Sequence, residues 1–83
     1  MKITPQFIAD SQSLWNGLSP RLRQVARLVA SGLTYNEVAE EVGTSPKTIN
    51  HQMSLIKDRL HCERSEIGIV TLAAIGLLRE GEL

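Results

Sequence analysis

Between Thr34 and Leu60 the chain reads TYNEVAEEVGTSPKTINHQMSLIKDRL, a stretch that leaves the backbone few choices. Thr34 can cap a helix, and Glu37 three residues later completes a capping box that satisfies the orphan N–H groups at its start. Val38, Ala39 and Val42 recur on one side of that helix, Asn36, Glu37, Glu40 and Glu41 lie elsewhere around it, and Gly43 ends it. Ser45 is a second N-cap, followed by Pro46 at the first helical position, where a missing N–H costs nothing and the fixed φ suits the helix. Along this second helix Ile49, Met53, Ile56 and Leu60 follow steps of four, three and four residues and so form one apolar stripe. The opposite face carries Lys47, Asn50, His51, Ser54 and Lys57, hydrogen-bonding groups between two cations, the inventory that meets base edges and phosphates. A short helix, a tight turn and a long helix with this division of faces make a helix-turn-helix signature.

The rest of the chain must support that unit within 83 residues, one domain's worth and too little for a large core. Cys62 is the only cysteine, so no internal disulfide can help, and association with a second copy is expected. Phe7, Trp15 and Tyr35 are the only aromatic residues, which leaves a core of Leu, Ile, Val and Ala and favours packed helices. Nothing resembles a signal peptide or a bilayer-length apolar run, so the default location is a reducing cytoplasm with no membrane partner. Nine basic residues against nine acidic ones argue against binding nucleic acid by bulk charge. The charge is unevenly placed, however. Leu18 to Leu33 holds Arg21, Arg23 and Arg27 with no acid, Thr34 to Gly43 holds three glutamates with no base, and Thr44 to Cys62 sets Lys47, Lys57 and Arg59 against Asp58.

In chain order, Thr4-Pro5 opens a helix to Leu14 or Trp15 with a thin apolar set of Phe7, Ile8, Leu14 and Trp15. This N-terminal arm, residues 1–17, either packs Trp15 against the domain or serves as a partner-binding or dimer-forming segment. Asn16-Gly17 is a turn, and Ser19-Pro20 starts a helix to about Ser31, ended by Gly32. Leu22, Val25, Ala26, Leu28 and Val29 give it a broad apolar face, with the three arginines mostly outside. After the second long helix, His61 to Arg64 connects to Ser65, an N-cap for a last helix through about Ile75. The run IGIVTLAAIGLL has almost no polar face, so something should cover it. Arg79 to Glu82 reads as a frayed tail.

From Leu18 to Leu78, about three quarters of the chain, the sequence resembles the DNA-binding domain of LuxR-type transcription regulators, the four-helix module also found in the spore-coat regulator GerE. Leu18-Ser19-Pro20-Arg21 matches the family's opening leucine, hydroxyl residue, any residue and arginine. Ala30, Gly32 and Thr34 match an Ala-x-Gly-x-Ser/Thr step, Glu37-Val38-Ala39 a Glu-Ile/Val-Ala step, and Ser45 to Ile49 a Ser-x-x-Thr-Val step. Ile56, Leu60 and the Gly76-Leu77-Leu78 ending also fall in place. The departures are Leu22, where the family usually has glutamate, Gln52, where it usually has histidine, and a segment one residue longer between Arg64 and Gly76.

The resemblance implies an all-α, four-helix domain over residues 18–83, a bacterial or phage regulator working on double-stranded DNA as a homodimer. The final helices would pair through Ile67, Val70, Thr71, Ala74, Ile75 and Leu78, and the helix at about 46–60 of each copy would enter a major groove. Family members read bases from the positions of Asn50, His51 and Ser54, the residues that the helical stripe independently leaves exposed. Asn can pair bidentately with adenine, while His and Ser serve several bases. Lys47 and Lys57, with Thr48 and backbone N–H groups, would hold phosphates. Further partners would be RNA polymerase or a larger LuxR-type regulator. The alternative is an interaction module: with no sensory domain preceding it, the bare domain would pair with a larger regulator and block it. Catalysis is not expected, because His51, His61, Cys62 and Glu63 have no recognised metal or nucleophile spacing. No cofactor is implied, and Cys62 and His61 read as a small apolar filler and a C-cap.

Overall fold

Four helices start where a hydroxyl side chain can replace a missing backbone acceptor. In the computed structural model, which describes residues 2–82, Thr4, Ser19, Thr34 and Ser45 each accept from the N–H three residues on, at 3.0, 3.3, 3.2 and 3.2 Å. They open α1 (Pro5–Asn16), α2 (Pro20–Ala30), α3 (Tyr35–Val42) and α4 (Pro46–Leu60), three of them with proline at the first turn. Glu37 Oε1 accepts from the Thr34 N–H at 2.9 Å and completes the capping box of α3. A fifth helix, α5 (Ile67–Ala74), follows a 3-10 turn over Arg64–Glu66. That turn is capped at Glu63, whose N–H donates to Glu66 Oε1 at 2.9 Å, so Ser65 is not the cap expected for the last helix.

Only three residues, Gly43, Thr44 and Ser45, separate α3 from α4. Gly43 takes the left-handed conformation (φ 75°), which a glycine adopts without strain, and the Thr44 N–H returns to the Ala39 carbonyl at 2.8 Å. Val38 and Ala39 of α3 and Ile49, Met53, Ile56 and Leu60 of α4 are all buried against Leu22, Val25 and Ala26 of α2 in one core. At about 2 kcal/mol per fully buried large aliphatic side chain, this stripe is what fixes the rotation of α4 about its own axis.

The last helix departs from expectation. Its apolar surface is covered, but by the same chain: α5 packs against both α1 and α2. Ile67, Val70 and Thr71, expected to pair with a second copy, are buried within the chain. The cover is α1, whose face Phe7, Ser11, Leu14 and Trp15 is wholly or partly buried, with Trp15 in the main core. Ser11, in the middle of that face and nearly inaccessible, is the polar residue that made the stripe look thin. Ala74, Ile75 and Leu78 stay partly exposed, and Leu77 is 73% exposed.

The two ends of the chain meet. β1 (Lys2–Ile3) pairs antiparallel with β2 (Gly81–Glu82), and Ile3 is buried beneath the pair. The segment 79–82, expected to fray, thus ends in a two-residue ladder on an otherwise helical domain. Among the described residues no helix is long and apolar enough to cross a membrane.

Candidate nucleic-acid interface

Because the stripe of α4 faces inward, the residues between its apolar positions must face out. Lys47, Thr48, Asn50 and His51 are exposed, and Ser54 and Lys57 are half-buried farther along the helix. Thr48 is already engaged, its backbone N–H and its hydroxyl both meeting Ser45 Oγ, the latter at 3.1 Å. Lys57 Nζ lies 3.5 Å from Asp58 Oδ1, the one ion pair among the described residues. A surface pair of this kind is worth little and yields readily to a phosphate. Lys57 and Arg59 also sit in the last turn, where cations complement the helix dipole. His61 follows in the left-handed conformation (φ 51°) as the C-cap, with its N–H on the Lys57 carbonyl.

One residue of this face escaped the sequence pattern. Arg64, in the 3-10 turn before α5, reaches back across α4: its Nη1 donates to Asn50 Oδ1 at 2.7 Å, and its Nη2 to the Asn50 carbonyl at 3.3 Å and to Ser54 Oγ. Two of the three expected base-reading residues are therefore held by one guanidinium, which meets no carboxylate among the described residues. The only hint in the sequence is that Arg64 interrupts an otherwise acidic connector, Glu63 to Glu66.

The arginines of α2 are engaged elsewhere and do not join this face. Arg21 Nη1 donates to the Val42 carbonyl at 3.2 Å, closing the C-terminal end of α3 just before the turn. Leu22, beside it, is in the core. Arg23 donates to the Trp15 and Asn16 carbonyls at 3.3 and 3.0 Å, and Arg27 lies 5.7 Å from the Trp15 ring centroid, a cation–π distance. Gln52 is half-buried, with an Oε1 that has no partner, and so turns away from the exposed row.

The residues weighed for catalysis do not converge. His51 stands on the exposed face of α4, whereas His61, Cys62 and Glu63 line an open cleft of about 280 Å³ with Lys57, Asp58 and Glu66. Burial, then the nearby Glu66 and Glu63 carboxylates, push the Cys62 thiol above its ordinary pKa, the reverse of an activated nucleophile. Among the described residues no group of His, Cys, Asp or Glu is placed to hold a metal ion.

Residues 16–73 match the family described as bacterial regulatory proteins, luxR family. The chain belongs to that family. Its members are DNA-binding regulators and not enzymes, and the helix-turn-helix within this mainly helical fold accords with DNA binding. Over 54 residues the chain is 37% identical to the two-component response regulator PprB of Pseudomonas aeruginosa, a stretch covering 65% of this chain and 20% of that protein. The chain thus matches about a fifth of that relative's length. No solved structure matches the chain.

Proposed function

We propose that this luxR-family domain binds a specific double-stranded DNA site as a homodimer in the cytoplasm, and that it regulates transcription by doing so. Helix α4 of each copy lies in a major groove, with Asn50, His51 and Ser54 toward base edges and Lys47, Thr48 and Lys57 toward phosphates. The observation that carries this reading is the division of α4: four apolar side chains buried on one side, and an exposed polar row bounded by two lysines on the other. With zero formal net charge, the domain has little bulk attraction for DNA, so contacts on this row have to supply the selectivity.

The second copy docks at the C-terminal end of α5, on Ala74, Ile75 and Leu78 with Leu77 beside them. These apolar residues stay partly open after α1 and α2 have buried Ile67, Val70, Thr71 and Ala73. Residues 2–17 act as an integral brace of the domain, because Trp15 is part of its core.

Selection of preferred sequences from random duplex DNA by the purified chain tests the proposal. The expected product is a two-half-site sequence in which each mismatched base pair costs roughly 1–3 kcal/mol. Enrichment of no sequence, with binding that depends only on salt, would sink it.

A further inference from the structure

We propose that Arg64 decides which base α4 selects, by turning Asn50 and Ser54 into hydrogen-bond donors and so favouring guanine in each half-site. This rests on the reading above, in which α4 faces the major groove. A guanidinium offers five N–H donors and no acceptor, so the groups it holds must present oxygen to it. Asn50 gives it both Oδ1, at 2.7 Å, and its backbone carbonyl, at 3.3 Å, and Ser54 gives it Oγ. Arg64 occupies one Oδ1 lone pair and fixes the orientation of the amide, and both N–H bonds of the Asn50 NH2 group remain free to donate. Ser54, accepting through its oxygen, has its O–H free to donate. Lys47, exposed on the same side of the helix, is also donor-only.

An isolated Asn would suit adenine, accepting from N6 through Oδ1 while donating to N7. Here that arrangement would bring the adenine amino group against an oxygen already held by a cation that no carboxylate neutralises among the described residues. Guanine presents N7 and O6, two acceptors, to a face that now carries donors. Arg64 is thus a positioning residue for specificity, acting through Asn50 and Ser54.

The experiment compares the DNA sequences selected by the wild-type chain, Arg64→Ala and Arg64→Lys, with helical content and melting recorded for each. The wild type should select guanine at the position whose preference Asn50→Ala relaxes. In Arg64→Ala the guanine-over-adenine ratio there should fall by about tenfold or more, with the rest of the site unchanged. Arg64→Lys, a point charge that cannot span both side chains, should fall between. Should Arg64→Ala not fold, the wild type alone decides: 7-deazaguanine at that position removes the N7 acceptor and should weaken binding by about tenfold. Adenine selected there by the wild type, an unchanged preference in a folded Arg64→Ala, or indifference to 7-deazaguanine overturns the inference while leaving DNA reading intact. Failure of the wild type to enrich any sequence would instead overturn the reading on which it rests.

Discussion

Helices α4 and α5 use their side chains in opposite ways. In α4, fifteen residues long, one face is buried and the other carries polar groups whose one link to another helix or turn of the core, among the described residues, is Arg64, beside the local contacts of Thr48 and Lys57. In α5, eight residues long and apolar on every side, α1 and α2 take up Ile67, Val70, Thr71 and Ala73 and leave Ile69, Leu72 and Ala74 partly open. A domain this small can expose one specific polar surface because the other end of its core is closed from within the chain. Substitutions in the two helices should therefore separate folding from binding.

The largest effect is expected in α5. Val70→Asp puts an unpaired carboxylate between packed helices and should cost about 3 kcal/mol or more, enough to unfold much of the protein in a thermal melt. Ile75→Asp, at the partly open end, should leave the melt nearly intact and shift sedimentation toward monomer. A folded, monomeric Val70→Asp would show that α1 does not cover α5 in solution, and the contrast between the helices would fail. Similar in size is Trp15→Ala, expected to cost roughly 3–5 kcal/mol because it removes a buried ring and the partner of Arg27. The wild-type tryptophan emission should be blue-shifted, and an emission like that of free tryptophan would place α1 off the domain.

Smaller effects belong to α4. Asn50→Ala should weaken binding by roughly 1–3 kcal/mol per half-site and relax one base position, with little change in melting. Lys57→Ala should weaken binding to all sequences alike and lower the salt slope by about one unit. Loss of dimerisation in either variant would contradict the separation of roles.

The smallest effect tests the capping box at the start of α3. Hydrogen bonds from the Thr34 N–H and hydroxyl hold the Glu37 carboxyl below its ordinary pKa of 4.5, so the charged form favours the folded state. Its contribution is present above that ordinary value and disappears as pH falls through the lowered one. The melting difference between wild type and Glu37→Gln should accordingly be slight at neutral pH and vanish in acid. A difference that grew on acidification would reverse the assignment.

The features legible in the sequence are those whose partners lie within one turn. Thr4, Ser19, Thr34 and Ser45 cap their helices through the N–H three residues on, and the α4 stripe repeats at a spacing that any helix would bury. The polar row of α4 follows by exclusion. What remained hidden depends on distant chain. Phe7, Leu14 and Trp15 look sparse until α5, about sixty residues later, lies beneath them. Arg21 and Arg23 look like solvated charges because their partners are backbone carbonyls at helix ends, which no residue type marks. Arg64 was obscured twice over, since its partners are fourteen and ten residues earlier and sit on a different helix. The last helix exposes the weakness of judging cover from composition: its lack of a polar face implied a lid, but not whose.

The pairing of Lys2 with Glu82 makes the backbone path nearly circular. Any polypeptide fused to one end therefore departs beside anything fused to the other, so tethers on both sides would share one point of attachment on the surface. The same proximity means that joining these ends through a short glycine linker, and opening the chain at the exposed Ser31-Gly32 turn instead, would keep every helix while changing only the order in which they are synthesised.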